Sequence, residues 1–157
     1  MSTPDYADVA IKPPFLFLGA LMLGSLLTLF FPVGPGLAQP NALGLTVGLV
    51  FVALGFALGG FSARTFQRAG THLSPGEPAT TLVTTGPYRV TRNPIYIGFV
   101  VVYFGLSLVL TSVWVLLLLI PALIILQRGV VDREEAYLER KFGDAYRRYK
   151  ARVPRWL

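Results

Sequence analysis

The chain has 157 residues, of which 54% are hydrophobic and 14% charged, with one histidine, no cysteine and a formal net charge of +6. So much apolar sequence in so short a chain argues against a water-soluble domain and for an integral membrane protein. Without cysteine there is no disulfide, thiolate nucleophile or thiolate metal site, and a single histidine, His72, excludes a multi-histidine centre.

The opening MSTPDYADVAIKPP is polar and net acidic, and the apolar run after it lacks a small-residue cleavage site. The first helix therefore reads as retained, not as a signal peptide. Apolar runs over 15–31, 42–63, 95–110 and 113–126 contain no Asp, Glu, Lys, Arg or His. Crossing an apolar core of about 30 Å takes roughly 17–25 helical residues, which the first two runs supply and the last two only approach. A single helix over 95–126 would be about 48 Å long, too long for one crossing. A turn at LTSVW, with Ser112 capping the next helix, instead makes a tight hairpin. The last helix continues through QRGVV with Arg128 snorkelling toward the headgroups, and Pro121 kinks it. The predicted fold is all-α, with four transmembrane helices over 15–33, 42–63, 94–110 and 113–131, a loop over 64–93 and a tail over 132–157.

Nine of the 14 Lys and Arg residues follow Leu126, and four more lie between Ser62 and Pro94. Cations clustered beside apolar spans point to anionic lipid headgroups and not to nucleic acid, and they place both termini and the 64–93 loop in the cytoplasm. Gly44, Gly48, Gly55 and Gly59 share one helical face, a pattern that lets another helix approach closely. In the tail, Leu138, Phe142, Tyr146, Tyr149 and Val153 recur at helical spacing between cations. That pattern predicts an amphipathic helix on the membrane surface, broken by Gly143, with Tyr137, Phe142, Tyr146 and Trp156 as interfacial anchors. His72 falls in a loop rich in turn residues and reads as a surface residue.

The G-x-S-x-G, phosphate-loop and dinucleotide fingerprints are missing, and so is any metal-ligand spacing. Spans without ionisable residues also argue against a proton-coupled transporter or a channel. The remaining polar material forms two blocks, GPYRVTRNPIYIG (86–98) and DREEAYLERKFG (132–143). A hairpin of the last two helices puts both blocks at its open end, so Arg89, Arg92, Asn93, Tyr96, Glu134 and Glu135 can converge. Arginine on one side and glutamate on the other suit a ligand carrying both a carboxylate and an ammonium. Each feature has a plainer reading beside that one: Gly86-Pro87 turns the chain, Asn93-Pro94 caps and starts a helix, and the arginines mark the membrane boundary. Adjacent helical residues point about 100° apart. One glutamate is therefore expected to face the site, with Glu135 preferred.

LVTTGPYRVTRNPIYIG, followed after a hairpin by EEAYLERKFGDAYRRYKARVPRW, resembles the isoprenylcysteine carboxyl methyltransferase and phospholipid N-methyltransferase group of membrane enzymes. The resemblance covers about half of the chain, from Leu82 to Trp156. It implies that S-adenosylmethionine binds at the cytoplasmic end of the bundle, against Arg92, Asn93, Pro94, Tyr96, Gly98, Glu134 and Glu135. Leu82, Val83, Gly86 and Tyr88 would add backbone and ring contacts, and Arg89 or Arg128 would join Arg92 in meeting an anionic acceptor. Many relatives have His where this chain has Asn93, so a general base at that position is excluded. Displacement at a sulfonium methyl needs alignment and dryness more than acid and base groups. This favours a carboxylate acceptor such as prenylcysteine over a phospholipid amine, for whose deprotonation only Glu134, Glu135 or water are at hand. The expected partners are a lipid or lipid-like acceptor and the bilayer. The alternative is a non-catalytic lipid-binding or partner-docking module that keeps the fold.

Overall fold

The computed structural model describes residues 5–33, 42–71 and 77–157; His72 and most of the first interhelical loop lie outside the described residues. Lys12 leads into α1 (Pro13–Phe30), which opens on two prolines whose fixed φ suits a first turn. After α2 (Ala42–Arg68) the chain makes a 3₁₀ turn at Gly86–Arg89. Gly86 holds φ at +59° beneath the Thr65 side chain, a conformation that glycine alone adopts readily. Then come α3 (Pro94–Val109) and α4 (Val113–Leu126), a five-residue π-turn (Gln127–Val131), α5 (Asp132–Phe142) and α6 (Asp144–Arg152).

Three stretches are long and apolar enough to cross a membrane: α1, α2 and the unbroken run Val113–Phe142. The apolar part of that run ends at Val131, and Asp132 opens the polar α5. α3 is apolar but has only 16 residues. Its rise is about 24 Å, short of an apolar core of about 30 Å. Length alone thus marks three crossings where the apolar pattern suggests four.

α3 packs chiefly on α2, and α4 on α1, so the third and fourth helices are joined by a tight turn without being each other's main partner. Ser112 does cap α4, accepting from Val115 N at 3.0 Å. On the α2–α3 seam the small residues meet backbone to backbone. A Cβ at Gly55 would lie 2.7 Å from the Gly98 carbonyl, and one at Gly105 would lie 2.6 Å from the Gly48 carbonyl. Gly24 lets α1 approach Val115 of α4 in the same way. At the turn end, Trp114 donates to the Phe31 carbonyl and the hydroxyls of Thr28 and Ser112 meet.

Gly143, at φ +52°, separates α5 from α6 as its position predicts. The tail corrects the expectation of a lipid-facing stripe. Tyr146, Tyr149 and Val153 are buried together, with Leu82, Leu138 and Phe142 packed on them. The apolar side of α6 is covered by the chain's own 82–93 segment, so the tyrosine rings go inside instead of anchoring in headgroups. Tyr137 is buried too, beneath the N-terminal segment.

Candidate functional site

The polar end of the bundle is assembled from three stretches. Thr91, Arg92 and Asn93 precede α3; Glu134 and Glu135 stand on the first turn of α5; and the segment after α6 folds back over both. Arg92 N donates to the Pro154 carbonyl at 3.0 Å, while the Thr91 hydroxyl and the Asn93 amide both donate to the Arg155 carbonyl, at 2.9 and 3.0 Å. This settles the capping reading of Asn93 against the sequence expectation. Asn93 sits at the N-cap position, but its side chain is drawn away to Arg155 and makes no cap bond.

The two glutamates both reach the site, contrary to the expectation that only one would. Each meets a different residue at the start of α3, Glu134 the Tyr96 hydroxyl and Glu135 the Arg92 guanidinium. Glu134 accepts the Tyr96 hydroxyl at 2.6 Å and takes part in no ion pair among the described residues. Glu135 is buried between Arg92 at 2.9 Å and Arg155 at 2.6 Å, and Arg155 also meets Asp132 at 3.0 Å. Removal from water pushes the Glu134 carboxyl up to about 7, with the Tyr96 hydroxyl pulling it down and the Glu135 carboxylate adding to the rise. Burial likewise raises Tyr146 to about 12, so it stays a neutral hydroxyl beside Arg92.

These groups line a partly open cavity of about 140 Å³. Arg92, Asn93, Tyr96, Glu134 and Glu135 form its polar wall, and Leu82, Val83 and Tyr88 face it from the loop. Tyr137, Leu138, Tyr146 and Tyr149 line it from α5 and α6, and Phe66, Glu77, Ala79, Thr81 and Ile95 also border it. Ala7, from the N-terminal segment, closes an edge: Tyr137 accepts Ala79 N at 2.9 Å and donates to the Asp5 carbonyl at 3.1 Å, clasping loop and N-terminus together. Gly86, Pro94 and Gly98 do not line the cavity; Gly98 faces Gly55 and Gly59 of α2 instead. Arg89 and Arg128 are exposed and also lie outside the lining. Sequence reasoning missed Arg155 as the second cation on Glu135. It saw the Leu138, Tyr146 and Tyr149 stripe but turned that stripe toward lipid.

The cavity wall has two unsatisfied features of opposite sign. Arg92 Nε has no hydrogen-bond partner among the described residues, although the Arg92 side chain is only 10% exposed. Glu134 has no counter-ion among the described residues. An unpaired guanidinium N–H, a carboxyl without a cation and a wall of leucine, valine and tyrosine suit a ligand with a zwitterionic end and an aromatic or apolar body.

The family model for phospholipid methyltransferase matches residues 43–145. Among curated relatives, the protein-S-isoprenylcysteine O-methyltransferase of Schizosaccharomyces pombe is 37% identical over 73 residues, 46% of this chain and 31% of that protein. Protein-S-isoprenylcysteine O-methyltransferase B of Arabidopsis thaliana is 33% identical over 112 residues, 68% of this chain and 55% of that protein. An uncharacterized protein of Haemophilus influenzae is 54% identical over 35 residues, 22% of this chain and 56% of that protein. The matches therefore span from 31% to 56% of these relatives' lengths.

Proposed function

This chain belongs to the phospholipid methyltransferase family, and from that premise we propose that it moves a methyl group from S-adenosylmethionine to an amphiphilic or lipid-linked acceptor at the membrane surface. The observation that supports this most is the pairing of an unpartnered Arg92 Nε with an uncompensated Glu134 on one cavity wall. These residues fit the amino-acid end of the cofactor: Arg92 meets its carboxylate and Glu134 its ammonium, while Leu82, Val83, Tyr88 and Leu138 offer the nucleoside an apolar surface. The enclosed volume of about 140 Å³ is smaller than the roughly 300–1,000 Å³ usual for small-molecule sites. It takes one end of such a ligand, and the rest extends through the open side.

When bound, the sulfonium supplies an already activated methyl carbon. The chain's own task is then to align, to exclude water and to hold charge. Arg92 is pinned by Glu135 and by the backbone of the 153–157 segment, so it presents its donor without reorganising. The cations around the site favour the cytoplasmic face, and in this reading α3 serves as a fourth, short crossing.

An acceptor carboxylate, as in a prenylcysteine, needs no deprotonation. Glu134 opens a second reading, because its carboxyl sits near 7 and can take the proton of an ammonium acceptor such as a phospholipid amine. A radiolabelled methyl-transfer assay on total membrane extract separates them: a label released by mild base is a methyl ester, and a base-stable label moving with phospholipid is an N-methyl group. If no label is transferred and S-adenosylhomocysteine does not bind, the methyltransferase reading is wrong, and thermal stabilisation by lipid alone would favour a binding module.

A further inference from the structure

Glu135 is held by two arginines of unequal standing. Arg155 takes both carboxylate oxygens, Nε to Oε1 at 3.0 Å and Nη2 to Oε2 at 2.6 Å. Arg92 meets Oε1 through Nη1 at 2.9 Å, and the same nitrogen stands 3.4 Å from the Tyr146 hydroxyl. Left to themselves, a buried guanidinium and carboxylate would form a two-pronged pair. Arg155 occupies that arrangement on Glu135, and Arg92 Nε, in the cavity wall, is left without a partner among the described residues.

The position of Arg155 is itself fixed. Asp132 holds its guanidinium at 3.0 Å, and its carbonyl receives the Thr91 and Asn93 side chains on either side of Arg92. Charge points the same way. Arg92 and Arg155 balance Glu135 and Asp132, so removing Arg155 leaves the group net negative and repels an anion approaching Arg92. Arg155 lies beyond residues 43–145, the part that the family model matches.

We propose that Arg155 is a positioning residue: by occupying both oxygens of Glu135 it keeps Arg92 from being locked in a two-pronged pair and leaves its charge and its Nε edge for the carboxylate of an amino-acid-bearing ligand. The identity of that ligand rests on the methyltransferase reading above. Without Arg155, Glu135 turns to take Arg92 in a two-pronged pair, which spends the Arg92 charge inside the cluster and holds its guanidinium back from the ligand.

The test titrates purified wild-type protein, Arg155→Gln and Arg155→Lys in detergent by calorimetry with two probes. S-adenosylhomocysteine carries the amino-acid carboxylate; 5′-methylthioadenosine keeps the nucleoside and thioether without it. Arg155→Gln is expected to weaken S-adenosylhomocysteine by about tenfold or more, the scale of one lost charge-assisted hydrogen bond. The same variant should change 5′-methylthioadenosine by less than about twofold. Arg155→Lys keeps the charge but not the fork, so it should fall between. In an Arg92→Lys background, which lacks Nε, Arg155→Gln should add little further loss. Equal weakening of both probes, or of neither, overturns the positioning role while leaving the methyltransferase reading intact. If wild-type protein binds neither probe, that reading fails and takes this proposal with it. Melting curves confirm that each variant is folded, and Arg155→Lys decides the matter if Arg155→Gln does not fold.

Discussion

The α2–α3 seam and the polar end of the bundle both bring distant parts of the chain into contact, by opposite means. Along the seam, Gly48, Gly55, Gly98 and Gly105 let carbonyls approach where side chains would stand, and nothing but absent atoms makes room. At the polar end, Arg92, Glu135 and Arg155 fill the space with charge and are held by hydrogen bonds at nearly every atom. The seam is a region that breaks when atoms are added, and the polar end one that breaks when they are taken away. Of the two, it is the polar end whose cavity wall holds a buried donor, Arg92 Nε, with no partner among the described residues, and so offers a ligand a contact.

The largest effect expected from breaking this contrast is at Glu135. Glu135→Gln strands Arg92 and Arg155 against each other in a buried place, where loss of one partner costs about 3–5 kcal/mol. Denaturation in detergent, followed by circular dichroism, measures it; a loss under about 1 kcal/mol would mean that the cluster behaves as a surface ion pair.

Next in size is a pH effect at its neighbour. The Glu134 carboxyl titrates at about 7 in the folded protein against an ordinary 4.5. Between these values the folded chain keeps a proton that the unfolded chain has released. Stability from this group is therefore full below pH 4.5 and is lost as the pH rises toward 7. The loss is on the order of 2 kcal/mol, allowing for partial contact with water. Glu134→Gln removes it, so the melting temperatures of wild type and variant should converge at one end of that range and separate at the other. Parallel curves would show that Glu134 titrates as an ordinary carboxyl and leave the amine-acceptor reading with only a weak base.

The difference between the two regions also explains what was legible in the sequence. The helices, the Ser112 cap, the Gly143 break and the small-residue face of α2 depend on local spacing, and local spacing is written in order along the chain. That Gly48 and Gly55 admit a close neighbour was readable, whereas that the neighbour is α3 was not. Gly98 shows the gap: the resemblance placed it at the cofactor, and its missing side chain faces α2. Arg92, Tyr96 and the two glutamates were found because two blocks could be joined through a hairpin. Arg155 was not, because VPRWL has no periodicity and its partner lies 20 residues upstream. Tyr146 and Tyr149 were seen but pointed the wrong way, since an apolar stripe reads the same whether lipid or a folded-back loop covers it.

The seam supplies the smallest and most sharply signed effect, because one substitution should move stability in opposite directions at two of its glycines. Gly105→Ala places a methyl 2.6 Å from the Gly48 carbonyl and 2.8 Å from Val52 N, both backbone atoms that cannot step aside alone. The helices must part, at a cost of about 1–3 kcal/mol that outweighs the better helix propensity of alanine. Gly59→Ala meets nothing within 4 Å, so propensity alone acts and the protein gains about 0.5–1 kcal/mol. Paired melting curves in one detergent read both signs. A loss at Gly59 equal to that at Gly105 would mean that α2 and α3 press together along their whole length, and that the seam's tolerance does not follow the spaces between backbones.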